Sequence, residues 1–218
     1  MVVTRPGFRW TTFDLTSQLP RNWHSDIIEA AAYADVREFP RTPILSREAA
    51  SISHIRRGRL EAHRVQKVLP WLSNMYREKF LELAKLAWPS EKVVPADDDR
   101  IGVVLNVQRG TAMRFECHVD SNPIAGLLFF TDHREGGELV FAHDKDAADI
   151  DAVERDCSVI RPHAGHLIFF NGREYPHYAR PLRGESEVRI TAVMNYYTES
   201  WPESTRPPEL NWHRFGEV

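Results

Sequence analysis

Two textures of hydrophobic patterning divide the chain near residue 100. Before it, apolar residues recur at helical spacing. Ile27, Ile28, Ala31 and Ala32 form one stripe behind Ser25 and Asp26, polar residues suited to a helix N-terminus, and Ser46-Arg47-Glu48 has the same opening pattern. Leu72, Met75, Tyr76, Leu83 and Leu86 follow i, i+3, i+4 steps behind Pro70, whose fixed φ suits a first helical turn. The segment 88–99 carries Pro89, Pro95 and the acidic run Asp97-Asp98-Asp99, and reads as a solvated connection. Beyond it, short β-rich runs divided by Gly, Pro, Asp and Asn predict strands at 101–108, 112–118, 124–131, 137–142, 157–161, 165–171, 176–180 and 186–198. Consecutive strands without helices between them predict an antiparallel sandwich or jelly roll rather than a parallel βαβ sheet. The expected architecture is a single α+β domain. Residues 1–99 form a mainly helical support, 100–198 a jelly-roll core, and 199–218 an irregular C-terminal flap containing Trp201 and Trp212.

Composition narrows the class. With 218 residues, 42% apolar and 27% charged, the chain has the make-up of a globular domain, which excludes disordered and collagen-like classes. The longest apolar stretch, Ile124 to Phe130, is far short of the roughly 20 residues that span a bilayer. The first residues contain no apolar signal region, so a reducing, cytoplasmic location is expected. Cys117 and Cys157 form no CxxC pair and read as packing residues. A formal charge of −3 argues against a large nucleic-acid footprint. Ten histidines stand out, and their placement carries the chemistry.

In His118-Val119-Asp120 an extended backbone puts both polar side chains on one face, where they can meet at one centre with a third ligand from a neighbouring strand such as His177. Two imidazoles and one carboxylate on one side of a metal make the facial triad of non-haem Fe(II) oxygenases, with positions left open for a cosubstrate and O₂. The context follows in order: Gly136-Gly137-Glu138-Leu139-Val140-Phe141, then Pro162-His163-Ala164-Gly165 running into Phe170, then His177, Pro181-Leu182-Arg183-Gly184 and Arg189-Ile190-Thr191. That order resembles the 2-oxoglutarate/Fe(II)-dependent dioxygenases, particularly their prolyl-hydroxylase-like branch, over residues 101–198. The resemblance implies a double-stranded β-helix (jelly roll) backed by N-terminal helices. It implies His118, Asp120 and His177 as iron ligands, Arg189 as partner of the 2-oxoglutarate C5 carboxylate, and Fe(II), 2-oxoglutarate and O₂ as cofactor and cosubstrates. A guanidinium in an apolar strand also needs a partner on physical grounds, and alternation places Thr191 on the same side as Arg189. Arg180 and Arg183 are rivals nearer the turn. A carboxylate at position 120 favours hydroxylation over halogenation, since the related halogenases lack it.

Substrate clues are thinner. Arg114 and Glu116 lie four and two residues before His118, so a regular strand would aim both into the metal chamber, where they could clamp a zwitterion. The other reading is an internal ion pair. Asn106, Asn122 and Trp201 are further lining candidates. The expected activity is hydroxylation of a small polar metabolite, a free amino acid or a derivative, with release of succinate and CO₂; protein-residue (prolyl-type) hydroxylation and a non-catalytic metal-binding jelly roll are the alternatives. The final strand lacks the second arginine of the nucleic-acid demethylases. His163-x-x-His166 lacks a third ligand, the acidic run 144–151 lacks the glycine and glutamate of a calcium loop, and no nucleophile motif of a hydrolase is present. A small-molecule partner, and neither nucleic acid nor membrane, is expected.

Overall fold

The structure, a computed structural model, describes residues 2–5, 8–42 and 44–210. The chain opens with β1 (Val2–Arg5), β2 (Phe8–Asp14), α1 (Trp23–Ala32), β3 (Asp35–Pro40), β4 (His54–Leu60), α2 (Ala62–Val68), α3 (Pro70–Arg77) and α4 (Lys79–Ala87). There follow β5 (Val93–Pro95), β6 (Val103–Arg109), β7 (Ile124–Phe129), β8 (Leu139–Ala142), α5 (Ile150–Arg155), β9 (Cys157–Ile160), β10 (His166–Phe170), β11 (His177–Ala179) and β12 (Val188–Thr198), then a 3₁₀ turn at Glu203–Thr205. A nine-stranded sheet runs β1-β2-β10-β7-β12-β6-β4-β3, with β5 also on β12, and a three-stranded sheet runs β11-β8-β9. The pairings are antiparallel, and the two sheets form a double-stranded β-helix.

Period-two alternation sorts the large sheet into two faces. On β6 and β12 the residues Leu105, Val107, Ile190, Ala192, Met194 and Tyr196 join the core shared with Ile27, Val65, Leu72, Tyr76 and Phe80 of the helices. Their neighbours Asn106, Arg189, Thr191 and Val193 turn inward to a cavity between the sheets. Beside that cavity Ala125, Leu127, Phe129, Ile168 and Phe170 pack against Leu139, Phe141 and Tyr175. Tyr76 fastens the helical layer to the sheet: its hydroxyl donates to Asn195 O at 2.7 Å and accepts from Ala96 N at 2.8 Å.

The N-terminal part is less helical than its pattern predicts. β2, β3 and β4 extend the large sheet, and β4 pairs with β6 through Gly58–Val107, Arg59–Asn106 and Leu60–Leu105. The cavity-lining positions of β4, Arg57 and Arg59, are arginines, so no apolar alternation runs the length of the strand. Ser46-Arg47-Glu48 opens no helix; its backbone is drawn to residues 117–119, with Arg47 N donating to Cys117 O at 2.6 Å and Val119 N to Leu45 O at 3.0 Å. Helix α1 starts earlier than Ser25, and it buries Ile27, Ala30 and Ala31 while Ile28 is exposed. The long stripe beginning at Leu72 is broken at Glu78, so α4 buries Phe80, Ala84 and Ala87 and leaves Leu86 70% exposed. The run 112–118 is not a regular strand: among its residues only His118 forms bridges, to Ser46 and His177. The acidic run is partly ordered, because Asp149 caps α5 by accepting from Ala152 N at 2.7 Å. Trp212 and the rest of 211–218 lie outside the described residues. Among the described residues no helix is long and apolar enough to cross a membrane.

Candidate active site

His118, Asp120 and His177 converge at one end of the cavity. Antiparallel bonds between the backbones of His118 and His177, 3.0 and 2.9 Å long, bring the imidazoles together with ring centroids 4.6 Å apart. Asp120 is held by its own N–H, which donates to Gly172 O at 2.8 Å. One Asp120 oxygen lies 3.4 Å from His118 Nε2 and the other 3.6 Å from His177 Nε2. All three candidate ligand atoms fall within 4.8 Å of one another.

The surroundings orient both rings. His118 Nδ1 donates to Glu116 O at 2.6 Å and His177 Nδ1 to Tyr175 O at 2.9 Å, which fixes the tautomers and leaves each Nε2 lone pair toward the centre. Burial disfavours charge on His118, yet the hydrogen bond and charge of Asp120 outweigh it and raise its pKa. Burial dominates at His177 and, with His118 adding to it, pulls the pKa down to about 4 against the attraction of Asp120. Gly172 leaves the space these groups occupy: a Cβ there would stand 1.9 Å from Asp120 Oδ2 and 2.9 Å from His177 Cε1. Two nitrogens and one carboxylate of this kind suit a divalent iron.

Further in, Arg189 is 1% exposed. Its Nη1 donates weakly to Thr191 Oγ1 at 3.4 Å, while Nε and Nη2 have no hydrogen-bond partner. Burial lowers its pKa to about 9, and the charge of Glu138 works in the opposite direction. Gly137 packs against this side chain. Gly137 has φ +68°, and a Cβ on it would lie 2.9 Å from Arg189 Cδ. A buried fork with open donors is a receptor for a carboxylate. The rivals are elsewhere: Arg180 pairs with Glu154, and Arg183 is exposed.

Several expected lining residues behave differently. Arg114 does not enter the chamber. Because 112–118 is irregular, its guanidinium forms a bidentate pair with buried Glu48, with Nη2 2.8 Å from Oε2. Glu116 lines a second cavity, but its carboxylate accepts from Thr42 N at 2.8 Å. Asn106 lines both cavities, and Asn122 borders the second while its side chain donates to Ile124 O at 2.7 Å. Trp201 lines neither; it stacks on Arg173, 3.8 Å from ring centre to guanidinium carbon. Outside the cluster, His163 is exposed and His143 bonds Asp156 and Ser158.

Residues 103–197 match the sequence profile of the 2OG-Fe(II) oxygenase superfamily. The core of the chain belongs to this superfamily. Its cofactor is therefore Fe(II), with 2-oxoglutarate and O₂ as cosubstrates, and the protein is a non-haem iron dioxygenase. The fold is shared with several solved structures at low sequence identity. The non-haem α-ketoglutarate-dependent epimerase SnoN from nogalamycin biosynthesis is 11% identical, with a TM-score of 0.62 over 97% of this chain and 86% of that one. AviO1 from Streptomyces viridochromogenes is 18% identical, with a TM-score of 0.60 over 90% and 91%. A Trichoplax adhaerens prolyl hydroxylase, solved with a hypoxia inducible factor peptide, is 10% identical with a TM-score of 0.55 over 90% and 85%. No curated protein sequence matches the chain significantly. Sequence reasoning missed the positions that shape the oxygenase site without touching iron chemistry, above all Gly172, Gly137 and the inward arginines of β4. Gly136-Gly137-Glu138 was visible as a motif, but its packing on Arg189 needs the third dimension.

Proposed function

We propose that this oxygenase hydroxylates a small polar metabolite, with free amino acids and their derivatives as the first candidates, and releases succinate and CO₂ from 2-oxoglutarate. The observation that carries the reading is the buried Arg189 fork, with two unpartnered nitrogens, in the wall of the same cavity as the His118–Asp120–His177 cluster. In this reading the two Nε2 atoms and the Asp120 carboxylate hold iron. Arg189 receives the distal carboxylate of 2-oxoglutarate through parallel hydrogen bonds, and the Thr191 hydroxyl lies beside it. Bound iron supplies the redox chemistry, in which R–H, O₂ and 2-oxoglutarate become R–OH, succinate and CO₂. The chain's own residues position and shield: Leu127, Leu139 and Phe170 line the cavity and keep water from the cosubstrate. A structural metal module has no need of an empty buried guanidinium, which favours catalysis over that alternative.

Anaerobic titration with Fe(II) and 2-oxoglutarate tests the site, because chelation gives a weak visible absorption. The band should form in the native protein and vanish in His177→Ala with the fold retained by circular dichroism. Unchanged succinate formation by His177→Ala would reject the ligand assignment. Screening amino acids for stimulated succinate release, with a mass gain of one oxygen in the product, tests the substrate class.

A further inference from the structure

The second cavity meets the first at the metal cluster, and the two share Asn106, Phe115, His118, Asp120 and Val193. Its remaining wall is supplied in part by Arg57 and Arg59 of β4, a strand outside the region that matches the superfamily. The register makes the placement plain. Arg59 lies opposite Asn106 on β6, and Asn106 opposite Thr191 on β12, so one transverse row of the inner face runs from Arg59 to the cosubstrate side. Arg57 is two residues along the same face of β4.

Among the described residues Arg57 has no carboxylate partner, and Arg59 is paired only through Nε. Arg57 forms no hydrogen bond or ion pair among the described residues, and its Nε is enclosed. Its guanidinium carbon sits 4.8 Å from the Phe39 ring centre and 5.6 Å from that of Phe115, so the cation is held by two rings. Arg59 is 9% exposed; its Nε lies 2.8 Å from Glu61 Oε1, and no residue among those described takes its terminal nitrogens. The Arg57 fork, half-buried and with no carboxylate bonded to it, would be completed by an anion entering the cavity. Burial lowers the Arg57 pKa to about 10, with the Arg59 charge adding and Glu116 and Glu61 opposing, so the group is still cationic at neutral pH. Of the carboxylates of this cavity, Glu116 spends its hydrogen bonds on Thr42 and reaches Arg57 only through its charge, and Asp120 belongs to the metal cluster.

We infer that Arg57, with Arg59 beside it, receives an oxyanion of the substrate, a carboxylate or a phosphate monoester, and thereby sets which carbon lies over the iron. This rests on the oxygenase reading above and replaces the pairing of Arg114 with Glu116 as the recognition element. The planar fork of each arginine matches either oxyanion by two parallel bonds.

The test uses the full-length holoprotein with Fe(II) and 2-oxoglutarate. Succinate release is measured with the proteinogenic amino acids, with their primary amides, and with phosphoserine and glucose 6-phosphate. Stimulation by acids and not by their amides supports a carboxylate; stimulation by the phosphate esters alone supports a phosphate. Amides as effective as acids, or no response from any anion, overturns the inference. In Arg57→Gln the half-stimulating concentration of the effective anion should rise at least about 30-fold, the size expected when one side of a buried charged pair is lost. The iron–2-oxoglutarate absorption should stay as in the native protein. An unaltered half-stimulating concentration in that variant also overturns it. Should Arg57→Gln fail to fold, the acid-against-amide comparison on the native protein decides alone. Absence of the chelate absorption in the native protein marks failure of the oxygenase reading instead, so the two failures are separable.

Discussion

Gly172 offers the sharpest single-atom perturbation of the metal cluster. In Gly172→Ala the added Cβ would stand 1.9 Å from Asp120 Oδ2 and 2.8 Å from its Cγ, whereas non-bonded atoms prefer about 3.5 Å, so the carboxylate must retreat by roughly 1.5 Å. His177 offers no room on the other side, with Cε1 at 2.9 Å from the same Cβ. Nor can the glycine backbone withdraw freely, because Gly172 O accepts the Asp120 N–H at 2.8 Å. Overpacking of this kind costs about 1–3 kcal/mol in stability, and displacing a reacting group by about 1 Å can cost 10²-fold in rate. We expect Fe(II) affinity, measured by competition with a chromogenic chelator, to fall at least about tenfold, in line with losses from supporting residues of metal sites. Gly137→Ala makes the complementary test, since its Cβ would press on Arg189 Cδ and not on the cluster. It should raise the 2-oxoglutarate requirement with little change in iron affinity. Gly184→Ala, whose Cβ would meet only the flexible Glu187 side chain at 3.2 Å or more, is the control. Native iron affinity in a folded Gly172→Ala protein would refute the assignment of Asp120 and His177 to one metal.

Other outcomes follow from the same geometry. Arg189→Gln should raise the KM for 2-oxoglutarate by more than about 30-fold, the loss typical of a buried charged pair, while iron still binds by chelator competition. Arg114→Gln should lower Tm through loss of the Glu48 pair yet leave substrate KM unchanged; a raised KM would restore Arg114 to the chamber. Tyr76→Phe strands Ala96 N–H and Asn195 O, so denaturant unfolding should show a loss of about 1–3 kcal/mol. Glu154 is held below the usual carboxylate pKa by its hydrogen bond to Arg180, with burial opposing and Tyr178 assisting. A depressed carboxylate stabilises the fold above its unfolded pKa, and the contribution disappears as pH falls through the lower folded value. Melting curves of Glu154→Gln should therefore lie below those of the native protein at neutral pH and converge with them as pH drops below about 4.5.

The period-two pattern of residues 101–198 was enough to anticipate most of the jelly-roll strands, and the His118-x-Asp120 spacing, joined by His177 through the family resemblance, named the three side chains that the structure gathers. What escaped has specific causes. Strand β4 faces the cavity with Arg57 and Arg59, so a rule that seeks apolar residues inside takes it for surface. Arg114 was drawn toward the metal by assuming a regular strand, whereas the 112–118 run bridges to other segments only at His118 and frees Arg114 to reach Glu48. Gly172 is legible only from what a missing Cβ makes room for, and a one-dimensional pattern has no term for that.

The placement of β4 beside β6 has an evolutionary corollary. The candidate iron and cosubstrate residues lie on the stretch that matches the superfamily, while the arginines that face the second cavity ride on a strand that precedes it, near the sheet's edge. If these arginines choose the substrate as inferred above, selection can rewrite which molecule is oxidised by exchanging the β3–β4 pair, leaving the candidate iron and cosubstrate residues in place. For the same reason that pair is the segment to transplant when a new substrate is wanted from an old catalyst.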